Sequence, residues 1–329
     1  MIKYTIQRFL LKIPTVIAVS IISFVVITLP PGDYLTVYIS NLESAGESVD
    51  QATINNLKQR YGLDRPVHEQ YLKWVHGIVT RGDFGYSLFY KRAVADLIWD
   101  RLGITMLLSV IVLLVTWIIS FPIGIYSAVK QYSPGDYLAS FFGFLGLATP
   151  DFLLALILMV ISYMWFNQSV GGLFSPEYME APWSIGKFGD FLGHLWIPVV
   201  ILGSNGTASL IRTLRANLLD ELQKPYVTTA RAKGQRESVL FLRYPVRTAM
   251  NPFVSTAGWL LPHLVSGSTI VATVLSLPTT GPLLLNALMV EDMYLAGAFI
   301  LMLSVLTVIG TFISDLLLAW LDPRIRFEG

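Results

Sequence analysis

The chain has 329 residues, of which 54% are hydrophobic and only 14% charged, with a mean hydropathy of +0.60 and a net charge of +1. A soluble domain carries about a quarter charged residues, so a water-soluble globule is excluded, and a charge this close to zero gives no electrostatic argument for nucleic acid. The absence of cysteine excludes disulfide scaffolds, thiolate metal sites and thiol nucleophiles.

A bilayer span needs about 20 mostly apolar residues. Six stretches qualify: Phe9–Leu29, Ile104–Val129, Leu138–Phe166, Leu195–Ile211, Pro252–Leu277 and Leu295–Leu321. The first follows Lys3, Arg8 and Lys12 but is longer than a signal-peptide core, and no small-x-small cleavage site follows it, so it reads as a retained span. The segment 30–103 is too long for a plain loop and reads as a small cap. Gln51–Arg60 and Val67–Val79 have helical apolar spacing, Asp64-Arg65-Pro66 separates them, and Gly82-Asp83-Phe84-Gly85 reads as a turn. The fourth span is the shortest and holds Gly203, Ser204, Asn205 and Gly206.

Lysine and arginine set the orientation. With the N-terminus inside, segments 1–12, 130–137, 212–251 and 322–329 hold 14 of the 23 basic residues. The two short outer loops, 167–194 and 278–294, hold one and none and instead carry Glu177, Glu180, Asp190, Glu291 and Asp292. The expected fold is therefore an all-α polytopic membrane protein, one domain over 1–329. It has six transmembrane helices, both termini cytoplasmic, an external cap at 30–103 and a cytoplasmic loop at 212–251 between helices 4 and 5.

That loop holds eight basic residues, among them Arg231, Lys233, Arg236 and Arg243. Pro225 stands near the start of a helix over Tyr226–Lys233 and Gly234 at its end, where each residue is favoured. A second helix is expected over Glu237–Arg243. Read alone, such a segment is equally the positive-inside signal, an anionic-lipid contact or a docking knob.

YVTTARAKG at 226–234 and LRYPVRTAMNP at 242–252 resemble the cytoplasmic EAA loop of permeases from binding-protein-dependent ABC importers. The resemblance is strongest to the dipeptide/oligopeptide/nickel branch and its dipeptide-permease B-like subunits. Pro31 to Asp33, RYGLDRPVHEQYLKW at 60–74, RGDFGYSL at 81–88 and LDPRIR at 321–326 carry it along nearly the whole chain in order. It implies that Tyr226, Thr228, Thr229, Ala230, Arg231, Ala232, Lys233, Gly234 and Arg243 form the ATPase-coupling surface. The partners implied are a second related permease, two cytoplasmic ATPase subunits or domains and an extracytoplasmic substrate-binding protein, all at a bacterial inner membrane. ATP and magnesium would belong to the ATPases, and this chain would hold no cofactor. Thr228 and Thr229 stand where the general pattern has its Glu and first Ala, which removes the carboxylate that names the loop.

Gly258, Pro262, Ser266, Thr269 and Thr273 share one stripe of the fifth span, with His263 beside it. Two readings stand: a water-lined translocation path through His263, Ser266, Thr269 and Thr273, or close helix packing. Asp151 lies within the third apolar stretch, where a charge is a functional candidate or the start of a helix after Pro150. Gly281 to Met289 is expected as a short surface helix, with Gly281, Asn286 and Met289 as candidates for an external gate or binding-protein contact.

Enzymatic chemistry finds no support. His68, His76, His194 and His263 have no metal-ligand spacing, and neither a phosphate-binding GxxxxGK[ST] nor a G-x-S-x-G elbow is present. An ion-gradient-driven transporter would call for inverted repeats and paired intramembrane charges, neither of which stands out. Peptides are the substrate class implied by the resemblance, with nickel chelates, opines, glutathione and oligosaccharides as alternatives.

Overall fold

The structure is a computed structural model and describes residues 2–28, 39, 65–87, 89–166, 171–179, 181–182, 184–251, 253 and 269–321. The expected helix over Gln51–Arg60, Pro31 to Asp33, Gly258, Pro262, His263, Ser266 and the terminal residues after Leu321 lie outside them.

The first apolar stretch is α1 (Ile2–Thr28). The described part of the cap is α2 (Val67–Arg81), closed by Gly82 at φ +65°. A two-residue antiparallel ribbon follows, β1 (Tyr86–Ser87) with β2 (Arg92–Ala93), a small addition to the all-helical expectation. The second span begins ten residues earlier than expected, as α3 (Val94–Val129). The third span is not one rod: α4 (Pro134–Ala148) and α5 (Asp151–Phe166) meet at a bend of 105°. Thr149 precedes Pro150 and takes extended backbone (φ −88°, ψ 123°), as a residue before proline does.

The fourth span is α6 (Ile185–Leu222), so the stretch 212–222 expected as loop is helix. The helix passes through Gly203, Ser204, Asn205 and Gly206 without a break. Beyond it come α7 (Pro225–Ala232), α8 (Glu237–Arg243) and α9 (Pro245–Ala249), then α10 (Thr269–Val274), α11 (Thr280–Met289) and α12 (Met293–Leu321). Among the described residues four helices are long and apolar enough to cross a membrane, or five if α4 and α5 count as one broken span. The expected fifth span falls mostly outside them.

Within a bilayer, helices gain little from burying apolar surface against each other, and close packing of small residues takes over. Helix α3 is central, contributing to three apolar clusters. One joins Leu108 and Val112 to α5, α6 and α10. Another joins Val94, Leu97 and Ile98 to α1, α2, α11 and α12. The third joins Ala128 to Leu214 and Leu218 of α6 and Val246 of α9. Glycines set the approach: a Cβ on Gly124 would stand 2.9 Å from Leu214, and one on Gly297 of α12 would stand 2.2 Å from the Ile27 side chain of α1.

Polar ties lock the rest. Ser133 caps α4 by accepting the Asp136 N–H at 3.2 Å, and Asp136, only 2% exposed, accepts both arms of Arg215 from α6 at 2.9 Å each. At the other end of α6, Asp190 accepts the Ser175 N–H at 2.7 Å and the Ser175 hydroxyl at 2.5 Å. The Gly172 N–H donates to Leu275 O at 2.8 Å, joining that segment to the end of α10.

Candidate functional site

Helix α6 hands the chain to a compact knob. Gln223 and Lys224 turn it, and Pro225 opens α7 at the position where its missing N–H costs nothing. Thr229 donates its hydroxyl back to Pro225 O at 2.9 Å. Gly234 ends the turn at φ +72°, with its N–H on Arg231 O and the Gln235 N–H on Ala230 O. A side chain at φ of this sign costs about 1–2 kcal/mol. The sequence reading is met nearly residue for residue: α7 is Pro225–Ala232 rather than Tyr226–Lys233, and α8 is Glu237–Arg243.

Val227 and Leu240 are fully buried and fix the inner faces of the two helices. On the outer side Arg231 forks onto Glu237, Nε to Oε1 at 2.5 Å and Nη2 to Oε2 at 3.1 Å. The pair holds the Glu237 carboxyl below the usual range and the Arg231 guanidinium above its own. Arg231, expected to face an outside partner, is thus engaged by its own knob. Val246 and Ala249 of α9 then pack against Leu214 and Leu218, which ties the knob to the span.

Tyr226 donates its hydroxyl to Glu221 on the last turn of α6, and its ring lies 6.4 Å from that of Tyr244. Partial burial first, and then the Glu221 carboxylate, push this phenol up to about 12 from its ordinary value of 10. A raised folded-state value means that the stabilisation is complete below pH 10 and disappears as pH climbs through about 12. The difference in thermal stability between the wild-type chain and Tyr226→Phe should therefore stay constant up to pH 10 and close by about pH 12, as read by circular dichroism melts in detergent.

Tyr226, Thr228, Thr229, Arg231, Ala232, Lys233, Gly234 and Arg243 are exposed and Ala230 half-buried. They therefore share one accessible helix–turn–helix. Among the described residues Lys233 and Arg236 have no ion-pair partner. Arg243 lies over the Tyr244 ring at 5.9 Å. Such a surface can seat in a groove with an acidic rim.

The other candidates are spread more widely. Asp151 opens α5 immediately after the break at Pro150 and is half-buried. Thr273 is exposed and donates to Thr269 O at 2.8 Å. His263 and Ser266 lie outside the described residues. Gly281 meets Thr269: a Cβ there would stand 2.8 Å from its Oγ1, so α10 and α11 touch at this pair. Asn286 donates to the Tyr90 hydroxyl at 2.6 Å, and Met289 is 76% exposed. Among the described residues no group of acids and histidines could hold a metal ion.

Sequence reasoning missed Asp292. Read as a surface charge, it is 2% exposed, accepts the Ser87 hydroxyl at 2.5 Å and caps α12 through the Leu295 N–H at 3.3 Å. It also missed the partnership of Asp136 with Arg215. The signal available for both was helix-start position, since an acid in the first turn serves the helix dipole.

The profile described as "Binding-protein-dependent transport system inner membrane component" matches residues 120–327, and its N-terminal companion matches residues 1–110. The oligopeptide transport system permease protein AppB of Bacillus subtilis (strain 168) is 34% identical over 99% of this chain and 100% of its own length. The glutathione transport system permease protein GsiC of Pectobacterium atrosepticum is 32% identical over 100% of both chains. The inner membrane ABC transporter permease protein YejB of Escherichia coli O157:H7 is 30% identical over 99% of both. The chain belongs to the binding-protein-dependent transport family as a multi-pass permease subunit of an ABC importer in the bacterial inner membrane.

Proposed function

We propose that this chain forms half of a translocation pore for peptides, paired with a second related permease. Two ATPase subunits or domains bind the 212–251 side, and a substrate-binding protein docks on the opposite face through the cap and the 278–294 segment. The relatives' names point to this substrate class: oligopeptide for one and glutathione, itself a short peptide, for another. The complete arrangement has six spans in a single domain with both termini in the cytoplasm. The chain carries out no chemistry itself, and ATP and magnesium are held by the partner ATPases.

The observation that carries the mechanism is the knob of α7 and α8, rigid in itself and packed through α9 onto α6. Closure of the ATPases on ATP would displace the knob as a solid body, and α6 would follow, alternating access between the two sides. Asp151, Thr269 and Thr273, with His263 and Ser266, are proposed to face the path, and Gly281, Asn286 and Met289 to form the external gate.

The test is Gly234→Pro in the assembled importer. Proline fixes φ near −65°, against +72° here, so the turn cannot form while the spans are untouched. Membrane insertion should be normal, and uptake and substrate-stimulated ATP turnover should both fall to background. Full turnover in this variant would refute coupling through the knob.

A further inference from the structure

One apolar cavity belongs neither to the knob nor to the candidate path. It has a volume of about 690 Å³ and lies between α3, α4 and α6. One wall is a stripe of small residues on α4: Gly135, Ala139, Gly143 and Gly146. No charged side chain lines it. From Gly135 to Gly146 the helix rises about 16 Å, roughly half of the ~30 Å hydrocarbon core of a bilayer. The stripe is therefore about as long as a single leaflet is deep. Left empty, the cavity's walls would forfeit their dispersion contacts.

Its two ends differ. Tyr126, Gly135 and Ile211 line one end. Just past it, Lys130 caps the C-terminus of α3 and Arg212 follows Ile211 on α6. Both are exposed, and among the described residues neither has an ion-pair partner. The nearby acid, Asp136, is already taken by the fork of Arg215. Tyr132 and Tyr137 are 68% and 62% exposed at the same level, and tyrosines gather where hydrocarbon gives way to headgroups. An apolar slot thus ends at Tyr126 and Ile211, and the chain continues from these ends of α3 and α6 into two exposed cations with no ion-pair partner among the described residues.

We propose that this cavity holds one acyl chain of an anionic phospholipid, with the headgroup phosphate against Lys130 and Arg212. A zwitterionic lipid would supply the chain but not the net negative charge, and a helix of a partner permease would supply neither a phosphate nor a free acyl chain.

The chain has no cysteine, so a single probe can be placed without background. Ile119→Cys, half-exposed on the rim of the cavity, takes a small bimane label. The full chain, with the subunits that purify with it, is placed in nanodiscs containing lipid brominated on its acyl chain. Brominated phosphatidylglycerol should quench the label at about one-fifth of the mole fraction needed for brominated phosphatidylcholine, the preference expected of a basic group near an anionic headgroup. Leu114→Cys, exposed on another face of α3, should be quenched equally by both. The preference should vanish in Lys130→Gln/Arg212→Gln, and also in Gly143→Leu, which fills the slot but keeps the cations. Quenching by neither lipid, the outcome if a partner helix fills the slot, would overturn the proposal. Equal quenching by both would overturn it too.

Discussion

Arg215→Ala is expected to lower the stability of the folded chain by about 3 kcal/mol, the low end of what removing one partner of a buried ion pair costs. The asymmetry within the pair sharpens the expectation. The Asp136 side chain is 3% exposed and that of Arg215 27%. Removing Arg215 strands a buried carboxylate that still accepts the Tyr132 N–H at 2.9 Å but has lost its only cation among the described residues. Removing Asp136 strands a guanidinium that already reaches solvent, and Asp136→Ala should cost about half as much. The double variant should lie close to Asp136→Ala alone, because the stranded charge is gone. Thermal unfolding in mild detergent measures all three, and equal costs for the two single variants would remove the role assigned to burial.

The second large effect is at Gly297. Its absent Cβ would stand 2.2 Å and 2.6 Å from Ile27 side-chain atoms and 3.1 Å from the Ser23 carbonyl oxygen. Ile27 is 6% exposed, and the oxygen belongs to helix backbone. Gly297→Val should therefore force α1 away from α12 at a cost of about 3 kcal/mol, the upper end of overpacking in a dense interior. The damage would spread to the inner contacts of the same pair, Lys12 with Thr311 at 3.2 Å and Arg8 with Asp315 at 3.6 Å. Combining Gly297→Val with Ile27→Ala should recover about half of the loss, because space opens while the Ser23 oxygen stays. Failure of Ile27→Ala to recover any stability would show that the backbone contact alone sets the approach.

How far each feature could be read from the sequence depends on the range of the forces that make it. The knob was legible because Pro225 and Gly234 punctuate it locally. So was the apolar character of α1, α3, α6 and α12, because a bilayer imposes it on about 20 consecutive residues. The length of α6 was not. Hydropathy falls after Ile211, but Leu214, Leu218 and Leu222 continue the helical spacing. Hydropathy marks where the bilayer ends, whereas hydrogen bonding and side packing decide where the helix ends. The bend in the third span was half-legible: Pro150 was visible and its capping alternative for Asp151 weighed, yet an apolar run carries no angle. The Asp136–Arg215 and Ser87–Asp292 ties span 79 and 205 residues, and only the packed topology brings such partners together. For the path, the small-and-hydroxyl stripe was readable as a pattern, but periodicity alone does not separate a wet wall from a packed one.

The uninterrupted run of α6 has a mechanical consequence. Its 38 residues extend about 57 Å, nearly twice the ~30 Å hydrocarbon core. A rod of that length pivoting at its middle through about 5° would carry each tip about 2.5 Å in opposite directions, provided it does not flex at Pro198, where one bond of the ladder is missing. One tip bears the knob, and the other is clamped by Ser175 to a strap that is itself fastened to Leu275. Moving as one rod, the helix would be a lever with a load at each end, and a push on the knob would arrive at the far strap with its direction reversed.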